Sequence, residues 1–234
     1  MKSIGTNVIR SHFRRSSWLI AAASTLLCAG SDVLAAQQVQ CFTLEFFYDS
    51  GVDDAAELRA ALEEFAAKRT GLRLHFRDLH ESDETRKRID EIAKYFGMAE
   101  VKLPAVYGLK NVLADLSTKE QLQNRLKQVL TLTAYVRNGC PHCRAAKEFF
   151  SKYGSRYPAL KIVHREVVTD RTARDEMDAL TRRYKRQAVS LPVVHYCNGL
   201  TIGFDRDSTT GRRILQTLDY WSRACPAEKK AGSR

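Results

Sequence analysis

The sequence has only one C-x-x-C pair, Cys140 and Cys143, and its histidines are scattered. A structural zinc centre takes four nitrogen or sulfur ligands, usually from two such pairs, so no metal site is expected. Nothing in the chain encodes a flavin or nicotinamide site, and no cofactor is expected either. The basic run TRRYKRQ, Thr181–Gln187, lacks the interleaved aromatic residues of a nucleic-acid platform. It reads as a solvated helix face, with no nucleic-acid partner. The apolar stretch WLIAAASTLLCAG, residues 18–30, is too short to span a bilayer comfortably.

Acidic residues are absent ahead of that stretch, whereas Lys2, Arg10, Arg14 and Arg15 are present, and the small residues of VLAAQQ follow it. A basic start, a short apolar core and small residues make an export signal, with cleavage expected after Ala35 or Ala36 and the periplasm as destination. An uncleaved anchor is the alternative. A lipid anchor would need a small residue before Cys28, where Leu27 stands, and the surroundings of Arg14 and Arg15 fit twin-arginine export poorly. Removing residues 1–36 leaves a net charge of 34 − 26 = +8 and a length suited to two compact domains of about 100 residues each.

From Gln37 the pattern runs strand (FTLEFFYD), helix (DDAAELRAALEEFAAKR), strand (LRLHFRDL), helix (SDETRKRIDEIAKYFG), strand (LPAVYG) and helix (STKEQLQNRLKQVL). Ser82 or Asp83 is the expected cap and Gly97 the stop of the second helix, and Ser117 with Glu120 reads as a capping box for the third. From Thr131 the order repeats: TLTAYV, CRAAKEFFSKYG, ALKIVHREV, ARDEMDALTRRYKR, LPVVHYC, an Asn198-Gly199 hairpin turn, LTIGF and TGRRILQTLDYWSRA. Each half opens a late strand with Leu-Pro, at Pro104 and at Pro192. Two copies of one α/β architecture are therefore expected.

A strand, then C-P-H-C at a helix start, then a β-α unit and a proline-initiated hairpin closed by a helix resembles the thioredoxin-fold proteins, and in detail the glutaredoxins. Arg137 matches their basic residue, Ser190-Leu191-Pro192 resembles their T-V-P, and Gly203 and Asp205 fall where their Gly-Gly and Asp-Asp segment lies. The resemblance implies two tandem thioredoxin-like domains, each a central mixed sheet flanked by helices. The expected boundaries are a signal peptide at 1–36, a degenerate domain without C-x-x-C at 37–130, a catalytic domain at 131–225 and a polar tail at 226–234. Where the first domain would carry cysteines, the sequence reads YDSGVDDA. The arrangement is similar to proteins of the protein disulfide isomerase type. Ile202 and Arg206 depart from residues that help hold glutathione in the family, which puts glutathione use in doubt. The resemblance further implies that Arg137, Pro141, Leu191 and Pro192 face the substrate, with Pro192 as a cis-proline.

The chemistry of the pair follows from its spacing. A thiolate attacks disulfides, and Cys140 at a helix start would aim its sulfur at unpaired N–H groups and the positive end of the helix dipole. Pro141 suits the first helical position, and His142 adds a positive or hydrogen-bonding neighbour. Cys143, one turn on, is placed to resolve a mixed disulfide at Cys140. The Pro-His dipeptide is also that of a periplasmic disulfide oxidase, which favours donation of disulfides. A structural C-x-x-C disulfide is a poor alternative, because so short a loop restrains the unfolded chain little. In the inferred topology the last helix returns toward the Asn198 turn, so Cys197 and Cys225 are expected to form a structural disulfide, leaving Cys41 as the odd cysteine.

The resulting expectation is an exported thiol-disulfide oxidoreductase of the oxidase or isomerase type. Its partners would be exported cysteine-containing proteins and a membrane or soluble redox partner. A periplasmic reductase and an assembly or binding protein with accessory redox activity remain alternatives.

Overall fold

The computed structural model describes residues 38–53, 55–187 and 190–225; the expected signal segment with its cleavage at Ala35 or Ala36, and the tail at 226–234, lie outside the described residues. Strand β1, Gln40–Tyr48, is buried at nearly every position on both of its faces. Such a strand reads as a continuous apolar run because layers cover it on both sides. Helix α1 (Ala56–Ala67) carries the chain over to β2 (Leu72–Asp78), which pairs parallel to β1. Helix α2 (Asp83–Phe96) begins where the Ser82 side chain accepts the Thr85 N–H and stops at Gly97 with φ 66°, so both sequence signals hold. Strands β3 (Ala105–Gly108) and β4 (Asn111–Leu113) then form an antiparallel hairpin, and α3 (Lys119–Val129) closes the half. The cap of α3 is Thr118, one residue later than the expected Ser117: its hydroxyl accepts the Gln121 N–H while Gln121 Oε1 accepts the Ser117 N–H.

The second half repeats the order with β5 (Thr131–Val136), α4 (Pro141–Tyr153), β6 (Lys161–Glu166), α5 (Arg171–Arg183), β7 (Val193–Tyr196), β8 (Gly199–Ile202) and α6 (Arg212–Trp221). The two sheets have the same strand order, β2-β1-β3-β4 and β6-β5-β7-β8, as the expected pair of thioredoxin-like folds requires. The register repeats as well: Pro104 and Pro192, each behind a cis peptide bond, precede β3 and β7, and Asp78 and Glu166 end β2 and β6. Both hairpins turn on two residues with positive φ, Leu109-Lys110 and Cys197-Asn198. The second turn thus sits one residue ahead of the expected Asn198-Gly199, because Gly199 pairs with Tyr196 in the ladder.

The halves share one core. Phe42, Leu44 and Leu62 of the first belong to the same buried cluster as Leu132, Phe149, Tyr157 and Ile214 of the second, and the Phe42 and Tyr157 rings lie 6.1 Å apart. Gly71 permits this approach: it has φ 78°, and a Cβ there would lie 2.9 Å from Pro158 Cγ. Helix α6 ends at Trp221, and the chain continues extended as β9 (Ser222–Ala224), antiparallel to Gln40–Phe42 of the first sheet.

That last strand overturns the expected disulfide. Cys225 follows β9, its N–H bonds to Val39 O at 2.9 Å, and its sulfur joins Cys41 with the Cα atoms 5.1 Å apart. Cys197 is a free, buried thiol, and burial pushes its pKa up to about 12. It occupies the turn position that the core residue Leu109 fills in the first half, so it serves there as a small apolar side chain. The Cys197–Cys225 pairing fails because α6 is shorter than expected and its last residues leave the second half altogether.

Non-reducing peptide mapping should therefore yield a Cys41–Cys225 linked peptide and an unlinked Cys197. Replacing Cys41 and Cys225 together by Ser should lower denaturant stability by about 2–5 kcal/mol, since the bond closes a long loop.

Candidate active site

Strand β5 ends at Val136, and the loop Arg137-Asn138-Gly139 delivers Cys140 to the start of α4. Gly139 takes φ 77°, a conformation that favours glycine. Cys140 is the N-cap: its backbone is extended and its Sγ accepts the Cys143 N–H at 3.4 Å, with Pro141 in the first helical turn. This matches the geometry that the spacing predicts. Cys143 lies beneath it, buried, and its Sγ accepts the Arg137 N–H at 3.4 Å.

The two thiols are driven apart. Burial opposes the Cys140 thiolate, but the Cys143 thiol, the N–H groups of Cys143 and His142, and the Arg137 charge together outweigh it and lower its pKa. For Cys143, burial leads, the hydrogen bond with Cys140 adds to it, and the pKa rises to about 11. His142 Nδ1 lies 2.7 Å from Phe204 O. A carbonyl only accepts, so Nδ1 carries the proton of this bond.

Cys140 opens into a groove of about 510 Å³. Arg137, Cys140 and His142 form one side, Ser190 and Leu191 another, and Val167, Val168, Arg174, Met177 and Asp178 the wall opposite. Of the residues expected to face substrate, Arg137 and Leu191 line the groove. Pro141 is exposed at the helix start outside it, and Pro192 is buried behind Leu191, its carbonyl accepting the Gly203 N–H. Cys197 and Cys225 belong to no part of the site. Sequence reasoning missed the α5 wall. Arg174 stands one turn after the Asp170 cap and donates its Nε–H to Val167 O at 2.9 Å, but nothing local marks it as facing a groove. The run Thr181–Gln187 ends α5 with Thr181 buried and Arg182, Arg183, Lys185 and Arg186 exposed.

Residues 132–199 match the glutaredoxin family. No curated protein sequence matches the chain. Among solved structures, a glutaredoxin from Archaeoglobus fulgidus is similar at 13% identity, with 41% of this chain and 92% of that one covered and a TM-score of 0.30. The NTD N/C domain of the alkylhydroperoxide reductase AhpF from Enterococcus faecalis is similar at 17% identity, covering 79% and 93%, with a TM-score of 0.27. The first two thioredoxin domains of Eps1p from Naumovozyma dairenensis are similar at 11% identity, covering 88% and 100%, with a TM-score of 0.24. Scores at this level add nothing to the architecture described above. The glutaredoxin match over the second half supports thiol-disulfide redox activity in general.

The lowered pKa leaves Cys140 ionised, and so reactive, at a lower pH than an ordinary thiol, while Cys143 stays protonated at neutral pH. Iodoacetamide should thus label Cys140 first and Cys143 slowly, as followed by mass spectrometry across pH. His142→Pro deletes the amide donor to Cys140 and should raise its pKa more than His142→Ser, which keeps that donor; ultraviolet thiolate titration reads both.

Proposed function

We propose that the protein is an exported thiol-disulfide oxidoreductase that exchanges disulfides with cysteine-containing protein clients through Cys140 and Cys143, with the oxidase or isomerase direction favoured. The carrying observation is the pair itself: an N-cap sulfur with a lowered pKa above a buried partner held near 11. Two adjacent groups whose environments push their pKa values apart support a division of roles. Cys140 is the nucleophile and the better leaving group, and Cys143 is the resolver.

In the oxidising direction a client thiolate attacks Cys140 Sγ, the Cys140–Cys143 bond breaks, and Cys143 leaves as a thiolate that takes up a proton. The client's second thiol loses its proton and attacks the client sulfur of the mixed disulfide. The client bond forms, Cys140 leaves as its stabilised thiolate, and two electrons have passed to the pair. A redox partner, in the membrane or soluble, reoxidises it. Isomerisation begins instead from the Cys140 thiolate attacking a client disulfide. The backbone N–H of His142 helps to stabilise the Cys140 thiolate.

Protein clients are favoured over glutathione. The Asp205 carboxylate is already engaged by the N–H groups of Arg206 and Thr210 and the hydroxyls of Thr209 and Thr210, which hold its pKa well below the carboxylate range. The groove instead offers an apolar wall, with Val168 exposed and Met177 beside it, between the cations Arg137 and Arg174. The Cys41–Cys225 bond supports an oxidising compartment such as the periplasm. In the first half a smaller groove of about 290 Å³ lies beside Pro104, with Val52 exposed at the position equivalent to Cys140. We assign that groove to client binding without catalysis, by an extended segment pairing with the backbone at Leu103 and Pro104, ahead of β3.

Cys143→Ala should accumulate mixed disulfides with client proteins and Cys140→Ser should form none, as read on non-reducing gels. The absence of adducts in the first would end the exchange reading. Because the halves share a core, deleting residues 37–130 would destroy the second half, so Val52→Asp is the test of the first groove. It should weaken client binding severalfold with the potential of the Cys140/Cys143 pair unchanged.

A further inference from the structure

The strands leading into the redox loop end side by side, with Val136 opposite Glu166. Beyond them the chain turns away, and the amides that leave the ladder need acceptors. Glu166 supplies two: its Oε2 accepts the Asn138 N–H at 2.7 Å and its Oε1 the Val168 N–H at 2.9 Å. Asn138 belongs to the loop that delivers Cys140, and Val168 to the opposite wall of the groove. The amide just before Asn138, that of Arg137, donates to Cys143 Sγ. Consecutive amides of one loop therefore have fixed acceptors, one on Glu166 and one on the resolving sulfur.

We propose that Glu166 is a positioning residue for the thiol pair, holding the 137–138 backbone so that the Arg137 N–H stays on the Cys143 sulfur. The inference rests on the Cys140/Cys143 exchange proposed above.

The first half repeats the device without the thiols. Asp78 ends β2 opposite Tyr48, and its Oδ1 accepts the N–H of Ser50 at 3.1 Å and of His80 at 2.9 Å. Ser50 follows Tyr48 by the same spacing as Asn138 follows Val136, and His80 follows Asp78 as Val168 follows Glu166. In the first half the clamp holds only a turn. In the second the same turn carries the donor to Cys143, and glutamate, one methylene longer, serves each amide with its own oxygen.

Charge and positioning act on Cys143 with opposite sign. A nearby carboxylate disfavours a thiolate, so losing the charge alone would lower the Cys143 pKa. The Arg137 N–H favours the thiolate, so losing that donor raises it; burial and Cys140 also raise the pKa of this thiol, and the Arg137 charge lowers it. Glu166→Gln offers only one acceptor and sets an NH2 group against the second amide.

The test uses the reduced full chain and dithiobis(nitrobenzoate). The first thionitrobenzoate released reports attack by Cys140, and the second reports resolution by Cys143. In Glu166→Gln the second release should slow about tenfold at neutral pH, its half-rate moving up by about one pH unit. Glu166→Asp, which keeps charge and acceptor, should stay near the wild-type rate, and Asp78→Asn should leave both phases unchanged. A Gln variant that resolves as fast as wild type, or whose half-rate moves down, overturns the proposal, as does an Asp78→Asn that slows resolution equally. A wild type with no second phase instead defeats the exchange reading on which the proposal rests.

Discussion

The burial of β1 on both faces is the constraint on which the other elements depend. Along its length it meets β2 in parallel, β3 antiparallel over Glu45–Phe47 and β9 antiparallel over Gln40–Phe42. Phe42, Leu44 and Phe46 are fully buried, and Phe42 reaches Tyr157 of the second half. The one charge in the strand, Glu45, is held between Arg77 and Arg88 at 3.0 and 2.9 Å. A partly buried carboxylate is tolerable only with such partners. Because β9 and the Cys41–Cys225 bond close on the same strand, the last described residues are tied to the first described ones, and neither half buries its apolar surface alone.

The internal repeat divides what the fold needs from what the chemistry needs. From Pro104 to Pro192, from Asp78 to Glu166 and from Leu109 to Cys197 the spacing is constant (192 − 104 = 88), and at each of these positions the backbone does the same thing in both halves. At the active loop backbone and side chains both diverge: α4 starts at Pro141, whereas α1 starts only at Ala56, three residues beyond the position equivalent to Pro141. Val52 stands where Cys140 is, and Asp49 where Arg137 is. The first half therefore has a groove at the equivalent place but no nucleophile, and its charge is reversed at the residue that favours a thiolate in the second. A fold supports a site without dictating one.

Much of the site was legible because its determinants are local. A cysteine before a proline at a helix start, with a second cysteine three residues on, specifies an N-cap sulfur and its amide donor within a single turn. The family pattern extended this to Arg137, Leu191 and the cis bond before Pro192. The opposite wall was not legible. Val168, Arg174 and Met177 are ordinary residues of a loop and a helix, and only the packing of α5 across β5 and β6 brings them to Cys140. Two single-residue errors have different causes: Ser117 and Thr118 are similar caps, whereas the turn fell on Cys197-Asn198, against local preference, because strand register pairs Gly199 with Tyr196.

By itself the sequence determined the strand and helix order apart from β4 and β9, the repeat, the caps at Ser82 and Gly97, and the placing of Cys140 and Cys143 at a helix start. Each of these rests on interactions within a turn of helix, one strand or one hairpin. Tertiary structure alone decided the partner of Cys225. Cys197 and Cys41 were equally available as thiols, and the choice turned on whether the chain after Trp221 continued as helix or crossed to β1. That crossing is a long-range strand pairing, stabilised by ladder hydrogen bonds and a core that both halves build, and no residue near Cys225 encodes it.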